Sequence, residues 1–157
     1  MIDARDDEPE LPIDDGYCVG CGQLSPIGLK MTFDTGEDKS VTSRVTIPVR
    51  FQGWQGVVHG GVVALVLDEA MAYAAGAHGY LGVTGDLKMR FRNAVPVGEA
   101  LLVRGNVLWK RRMVLGIEAS VVDAHGTLLA SAEGSFVSRG RLQPGQKLGI
   151  PSVDGRA

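Results

Sequence analysis

The sequence predicts an α+β domain in which one long, buried helix is wrapped by a curved antiparallel sheet of five or six strands. Three observations predict it. Period-two alternation of apolar and polar residues appears in two separate blocks. A single Ala-rich, Pro-free apolar segment lies between them. The chain also holds 22 glycines in 157 residues, about twice the ordinary share, to make the turns. That length suits one domain, and 45% hydrophobic with 22% charged residues is an ordinary globular mixture.

The first block reads as a hairpin. Leu29, Met31 and Phe33 alternate with Lys30 and Thr32, and residues 34–38 form a turn. Val41, Val45 and Ile47 then alternate with Thr42, Arg44 and Thr46. The central segment, 60–77, is apolar nearly all round, the mark of a helix buried on most faces, and would extend about 27 Å. After residue 80 the alternation returns. Val83, Leu87, Met89 and Phe91 oppose Thr84, Asp86, Lys88, Arg90 and Arg92, and a turn at 96–98 leads into a strand over 101–109. A reversal at 110–112 precedes the alternating Met113, Leu115, Ile117 and Ala119, and a turn at 123–126 leads into a last strand over 127–137.

Charge divides the chain. Residues 1–15 carry seven acids against Arg5, so the remainder has 15 basic and 11 acidic side chains, net +4. Residues 1–16 read as an acidic, disordered leader, 17–138 as the folded domain and 139–157 as a flexible tail. A mildly basic body suits a phosphate-bearing small molecule and falls short of a nucleic-acid footprint. No uninterrupted apolar run approaches the ~18 residues of a membrane span, so neither nucleic acid nor membrane is expected as a partner. The leader lacks the features of a secretory or transit signal, so a cytoplasmic location is expected. There Cys18 and Cys21 would be free thiols in a tight, glycine-assisted turn. His59, His78 and His125 lack the spacing that would complete a zinc site, so no metal is expected.

Chemistry is sought where the pattern breaks. Asp68 and Glu69 are the only charges in the helix, and a carboxylate in apolar surroundings costs several kcal/mol unless paired. Their ~100° offset points them in different directions, so one can be solvated while the other serves a site. The second break is His59-Gly60-Gly61 at the helix start, where unshielded N–H groups at the positive end of the dipole can receive an oxyanion. Gly60 and Asp68 stand about 12 Å apart along the axis, too far to share one carbonyl. A joint site therefore needs a second subunit, as a two-fold dimer would supply.

The run Phe51-Gln-Gly-Trp-Gln-Gly-Val-Val-His-Gly-Gly61, with Asp68 nine residues after the histidine, resembles the hotdog-fold acyl-CoA thioesterases. It is most similar to the phenylacetate-pathway type within the 4-hydroxybenzoyl-CoA thioesterase superfamily. Cys18-x-x-Cys21-Gly22 leading to Ser25-Pro26-x-Gly28-Leu29, and later Thr84 and Pro96-x-Gly98-Glu99, fit the same resemblance, which spans 17–138. Ser25 stands where the family pattern has Asn.

The resemblance implies a hotdog fold, an obligate homodimer that assembles further into a dimer of dimers, and a site at the subunit interface. It makes Asp68 the general base or nucleophile, Gly60 the backbone oxyanion donor, His59 a shaper of the site and Thr84 a positioner of water. The family's polar residue upstream of the histidine falls at Gly53, with Gln52 and Gln55 nearby, and stays unassigned. Coenzyme A would enter as part of the substrate, with no separate cofactor. Gly61 is expected to contact substrate. Lys88, Arg90 and Arg92 on one strand would hold the phosphates, or Arg111 and Arg112 on a turn, unless both sets are solvated surface. Trp54, Met71, Tyr73 and Met89 are candidates to close an acyl pocket. Two other readings stay open: a hotdog-type enoyl-CoA hydratase or dehydratase, and an acyl-CoA-binding protein without turnover.

Overall fold

The structure, a computed structural model, describes residues 14–149. Most of the acidic leader and the end of the expected tail, 1–13 and 150–157, lie outside them. Six strands and one α-helix follow in the order β1 (Asp34–Thr35), β2 (Val41–Thr46), α1 (Gly60–Ala77), β3 (Tyr80–Phe91), β4 (Ala100–Arg111), β5 (Val114–Val122) and β6 (Leu128–Arg141). All pairings are antiparallel, and the sheet order is β1-β2-β4-β5-β6-β3. One helix against one antiparallel sheet is the hotdog arrangement that the sequence predicts.

The strands bury the faces their alternation marks. Val41, Ser43 and Val45 of β2 point inward, as do Leu101 and Val103 of β4, Leu115 and Ile117 of β5, and Ala130, Ala132 and Phe136 of β6. Against them α1 sets Val66, Leu67, Ala70, Met71 and Ala74, all without solvent exposure. Burying each of the larger side chains stabilises the fold by about 1.5–3 kcal/mol. Helix and sheet approach closely because Gly105 has no side chain: a Cβ there would stand 2.3 Å from the Ala70 carbonyl oxygen. The helix stops where Gly79 takes a left-handed φ of 83°. By length and composition α1 could cross a membrane, with a mean hydropathy of 1.3, but here it is the core helix.

Several boundaries differ from the sequence reading. The first hairpin is almost absent, since β1 has two residues and pairs Asp34 with Thr42 and Thr35 with Val41. The backbone of residues 29–31 bonds instead to the N-terminal loop, Leu29 N–H to Val19 O and Met31 N–H to Gly20 O. The last strand continues to Arg141, beyond the expected end at 137, because Tyr80 and Leu81 offer it partners. Residues after it return to the domain, where Leu148 packs over Gly76 and Gly149 N–H donates to Asp14.

Candidate active site

His59 caps the helix. Its Nδ1 accepts a 2.9 Å hydrogen bond from Gly61 N–H, and its carbonyl accepts from Val62 and Val63. Among the described residues Gly60 N–H then has no acceptor. The preceding loop fixes this start. Val57 pairs with Pro96, Val58 N–H bonds to Val95 O, and Gln52 Oε1 accepts from Gly56 N–H. Gln52 is thereby used in the loop, and Gly53 packs on the His59 backbone. Gly61, expected to contact substrate, has its N–H turned to His59 instead.

About two turns along α1, Thr84 Oγ1 donates a 2.6 Å hydrogen bond to Asp68 Oδ1. A β-bulge makes this possible. Thr84 pairs with Phe136 and Asp86 with Ser135, so Gly85 is an extra residue in β3. Strict alternation would place Thr84 beside Asp86 and Lys88 on the outer face. The bulge puts it instead with Leu87, Met89 and Phe91, which pair with the helix-facing Gly134, Ala132 and Ala130.

The helix is less enclosed than its composition implies. Gly61, Ala64, Leu65, Asp68 and Ala72 form a partly exposed stripe. Among the described residues β3 pairs only with β6, so its other edge has no strand beside it. Phe91, 57% exposed, packs near Gly60 at one end of that edge, and Thr84 holds Asp68 further along.

Asp68 and Glu69 do diverge, yet neither is simply solvated. Glu69 turns to the N-terminal loop, where its Oε1 accepts from Cys18 Sγ at 3.1 Å. Burial pushes the Glu69 carboxyl above the ordinary carboxylate range, opposed by the Cys18 contact. That contact was invisible in the sequence, where 51 residues separate the two.

The cations stand apart from Asp68. Lys88 and Arg90 are exposed on the outer face opposite Glu133 and Ser131, and Arg92 lies just past the strand. Arg111 and Arg112 are exposed at the β4–β5 turn. Of the acyl-pocket candidates, Met71 is core, Tyr73 stacks on Phe33 at 4.2 Å, Met89 is half-buried, and Trp54 is 85% exposed.

Residues 55–130 match the family model described as Thioesterase superfamily. Among solved structures, a thioesterase superfamily protein is 29% identical at a TM-score of 0.74, over 78% of this chain and 60% of its own. The present chain thus spans less than two thirds of that neighbour. A Streptococcus mutans protein bound to acetyl-CoA is 17% identical at a TM-score of 0.67, covering 72% of this chain and 91% of its own. The Escherichia coli PaaI protein, from the phenylacetic acid degradation operon, is 18% identical at a TM-score of 0.67, covering 73% and 83%. No curated protein matches the chain by sequence.

Proposed function

We propose that this chain, whose residues 55–130 match the thioesterase superfamily, is an acyl-CoA thioesterase whose site two copies share. The reaction is hydrolysis of a small or medium acyl- or aryl-CoA to the free acid and CoA. The observation that carries this reading is the Thr84–Asp68 hydrogen bond on a partly exposed helix stripe, beside a helix start whose Gly60 N–H lacks an acceptor among the described residues.

Thr84 occupies one carboxylate oxygen of Asp68 and thereby orients the other. That oxygen takes a proton from water as it attacks the thioester carbonyl, or attacks the carbon itself to give a mixed anhydride that water then opens. The tetrahedral oxyanion needs a donor. Gly60 N–H, at the positive end of α1, is the donor available, and such a bond contributes about 3 kcal/mol. Thiolate leaves readily, since a thiol pKa near 8.5 makes a strong general acid unnecessary.

The spacing along α1 supports a second copy. Gly60 and Asp68 of one helix are about 12 Å apart. Antiparallel pairing of two free β3 edges about a two-fold near Leu87 would set the Phe91–Gly60 end of one copy beside the Thr84–Asp68 position of the other. It would also cover the exposed helix stripe. Lys88 and Arg90 would then flank the mouth of the site, where the CoA phosphates emerge, and dimers would pair further into tetramers. The unbridged thiols of Cys18 and Cys21 fit a cytoplasmic setting.

A thiol-release screen over short, medium, long and aryl acyl-CoAs, run beside enoyl-CoA hydration, tests the reading. Turnover of at least one thioester is expected. Hydration without thiol release would make the protein a hydratase, and binding without either would make it a carrier.

A further inference from the structure

The motif Cys18-Val-Gly-Cys-Gly22 is not used by the proposed hydrolysis, and it lies against Glu69. The Cys18, Cys21 and Glu69 ligand atoms are all within 4.8 Å of one another. Two thiolates on one tetrahedral zinc stand about 3.8 Å apart, from bonds of about 2.3 Å, so small side-chain rotations would close the set on one ion.

The loop is built for this approach. Gly20 lies directly on Glu69: a Cβ there would stand 2.3 Å from Glu69 Cγ, so any side chain would drive the two apart. Gly20 N–H points at Cys18 Sγ at 3.4 Å, the direction that stabilises a thiolate. Gly22 N–H closes the turn on Cys18 O at 2.8 Å.

Charge gives a second, independent indication. The same residues line a cavity of about 360 Å³, together with Asp14, Asp15 and Tyr73. Among the described residues no Lys, Arg or His lines it, so every ionisable group described there becomes negative when it ionises. A half-buried set of thiols and carboxylates around the buried Cys21, with no protein cation lining it among the described residues, is a place for a metal cation.

We propose that Cys18, Cys21 and Glu69 bind a zinc ion that fastens the N-terminal loop to α1, with the fourth position filled from the adjoining cavity. Soft thiolates select zinc over magnesium or calcium, and binding releases the thiol protons. The expectation of no metal rested on histidine spacing; the third ligand proposed here is a glutamate on the distant helix. The site is distinct from Asp68 and Thr84, and stands whether or not the chain hydrolyses thioesters.

The full-length protein, reduced and stripped with chelator, is titrated with Co²⁺ and then Zn²⁺. One Co²⁺ per chain is expected, with thiolate-to-cobalt charge transfer and tetrahedral d–d bands that Zn²⁺ abolishes. Zn²⁺ should also slow alkylation of the two thiols at least tenfold and raise the thermal midpoint. Glu69→Gln should weaken Zn²⁺ binding tenfold or more, whereas Glu99→Gln, on the surface, should not. Absence of thiolate–cobalt bands in the folded wild-type protein would overturn the proposal. So would thiols whose alkylation Zn²⁺ leaves unchanged, or a Cys18–Cys21 disulfide that forms equally well with Zn²⁺ present.

Discussion

Thr84 reaches Asp68 across the helix–sheet junction, its hydroxyl 2.6 Å from Oδ1, and it does so because Gly85 is an extra residue in an edge strand. Removing the hydroxyl frees Asp68 to rotate. Since a hydrogen bond to a charged group contributes about 1.5–3 kcal/mol, Thr84→Val should lower kcat roughly ten- to hundredfold. Thr84→Ser should restore most of it. Steady-state kinetics on the best thioester checks both, with unchanged circular dichroism as the structural control.

Asp68 itself has the larger effect. Asp68→Asn keeps the size and one acceptor oxygen for Thr84 but removes the base or nucleophile. Thioester hydrolysis should fall by at least a thousandfold, while the folded protein is retained. Full turnover in purified Asp68→Asn protein would remove Asp68 from the mechanism.

The oxyanion donor permits a selective test. Gly60 is the first residue of α1, a position where proline is tolerated. The preceding His59 has φ −58° and ψ 134°, the extended conformation that a following proline requires. Gly60→Pro therefore deletes little beyond the N–H, and should reduce kcat by about 10²–10³ with stability preserved. Gly60→Ala retains the N–H, and its Cβ would meet Phe91 at an ordinary 3.5 Å, so it should remain active.

A separate prediction concerns the fold. Gly105→Ala places a methyl 2.3 Å from Ala70 O, where the nearest atoms are backbone and cannot swing aside. The helix must lift from β4, at a cost of about 1–3 kcal/mol. Urea denaturation should show the lower midpoint, and the same change at exposed Gly126 would differ, being governed by its φ of 82° rather than by crowding.

What the sequence made legible follows from the range of each signal. The helix bounds Gly60–Ala77 emerge as read, because a capping histidine and a closing glycine punctuate a continuous apolar run. The four later strands are likewise local alternations, though each runs longer than its apolar core. Two features escaped. Residues 29–33 alternate like a strand but bond to Val19 and Gly20, a partner choice that local periodicity cannot encode. The bulge at Gly85 reverses the faces of β3, so a strict period of two would have sent Thr84 outward. At the site, Asp68 and His59-Gly60 stood out as breaks in the apolar pattern, whereas Thr84 joined them only through family resemblance. The junction of Glu69 with Cys18 depends on long-range packing and left no trace beyond Gly20 and Gly22.

The central claim is that each active site takes its acid from one copy and its oxyanion donor from another. Mixing equal amounts of Asp68→Ala and Gly60→Pro proteins under conditions of subunit exchange tests it most directly. Each variant alone should be nearly inactive, while random mixing should restore about a quarter of wild-type activity, because half the dimers are mixed and each of those holds one intact site. If differently tagged subunits demonstrably exchange and activity stays at the level of the separate variants, the shared site is wrong.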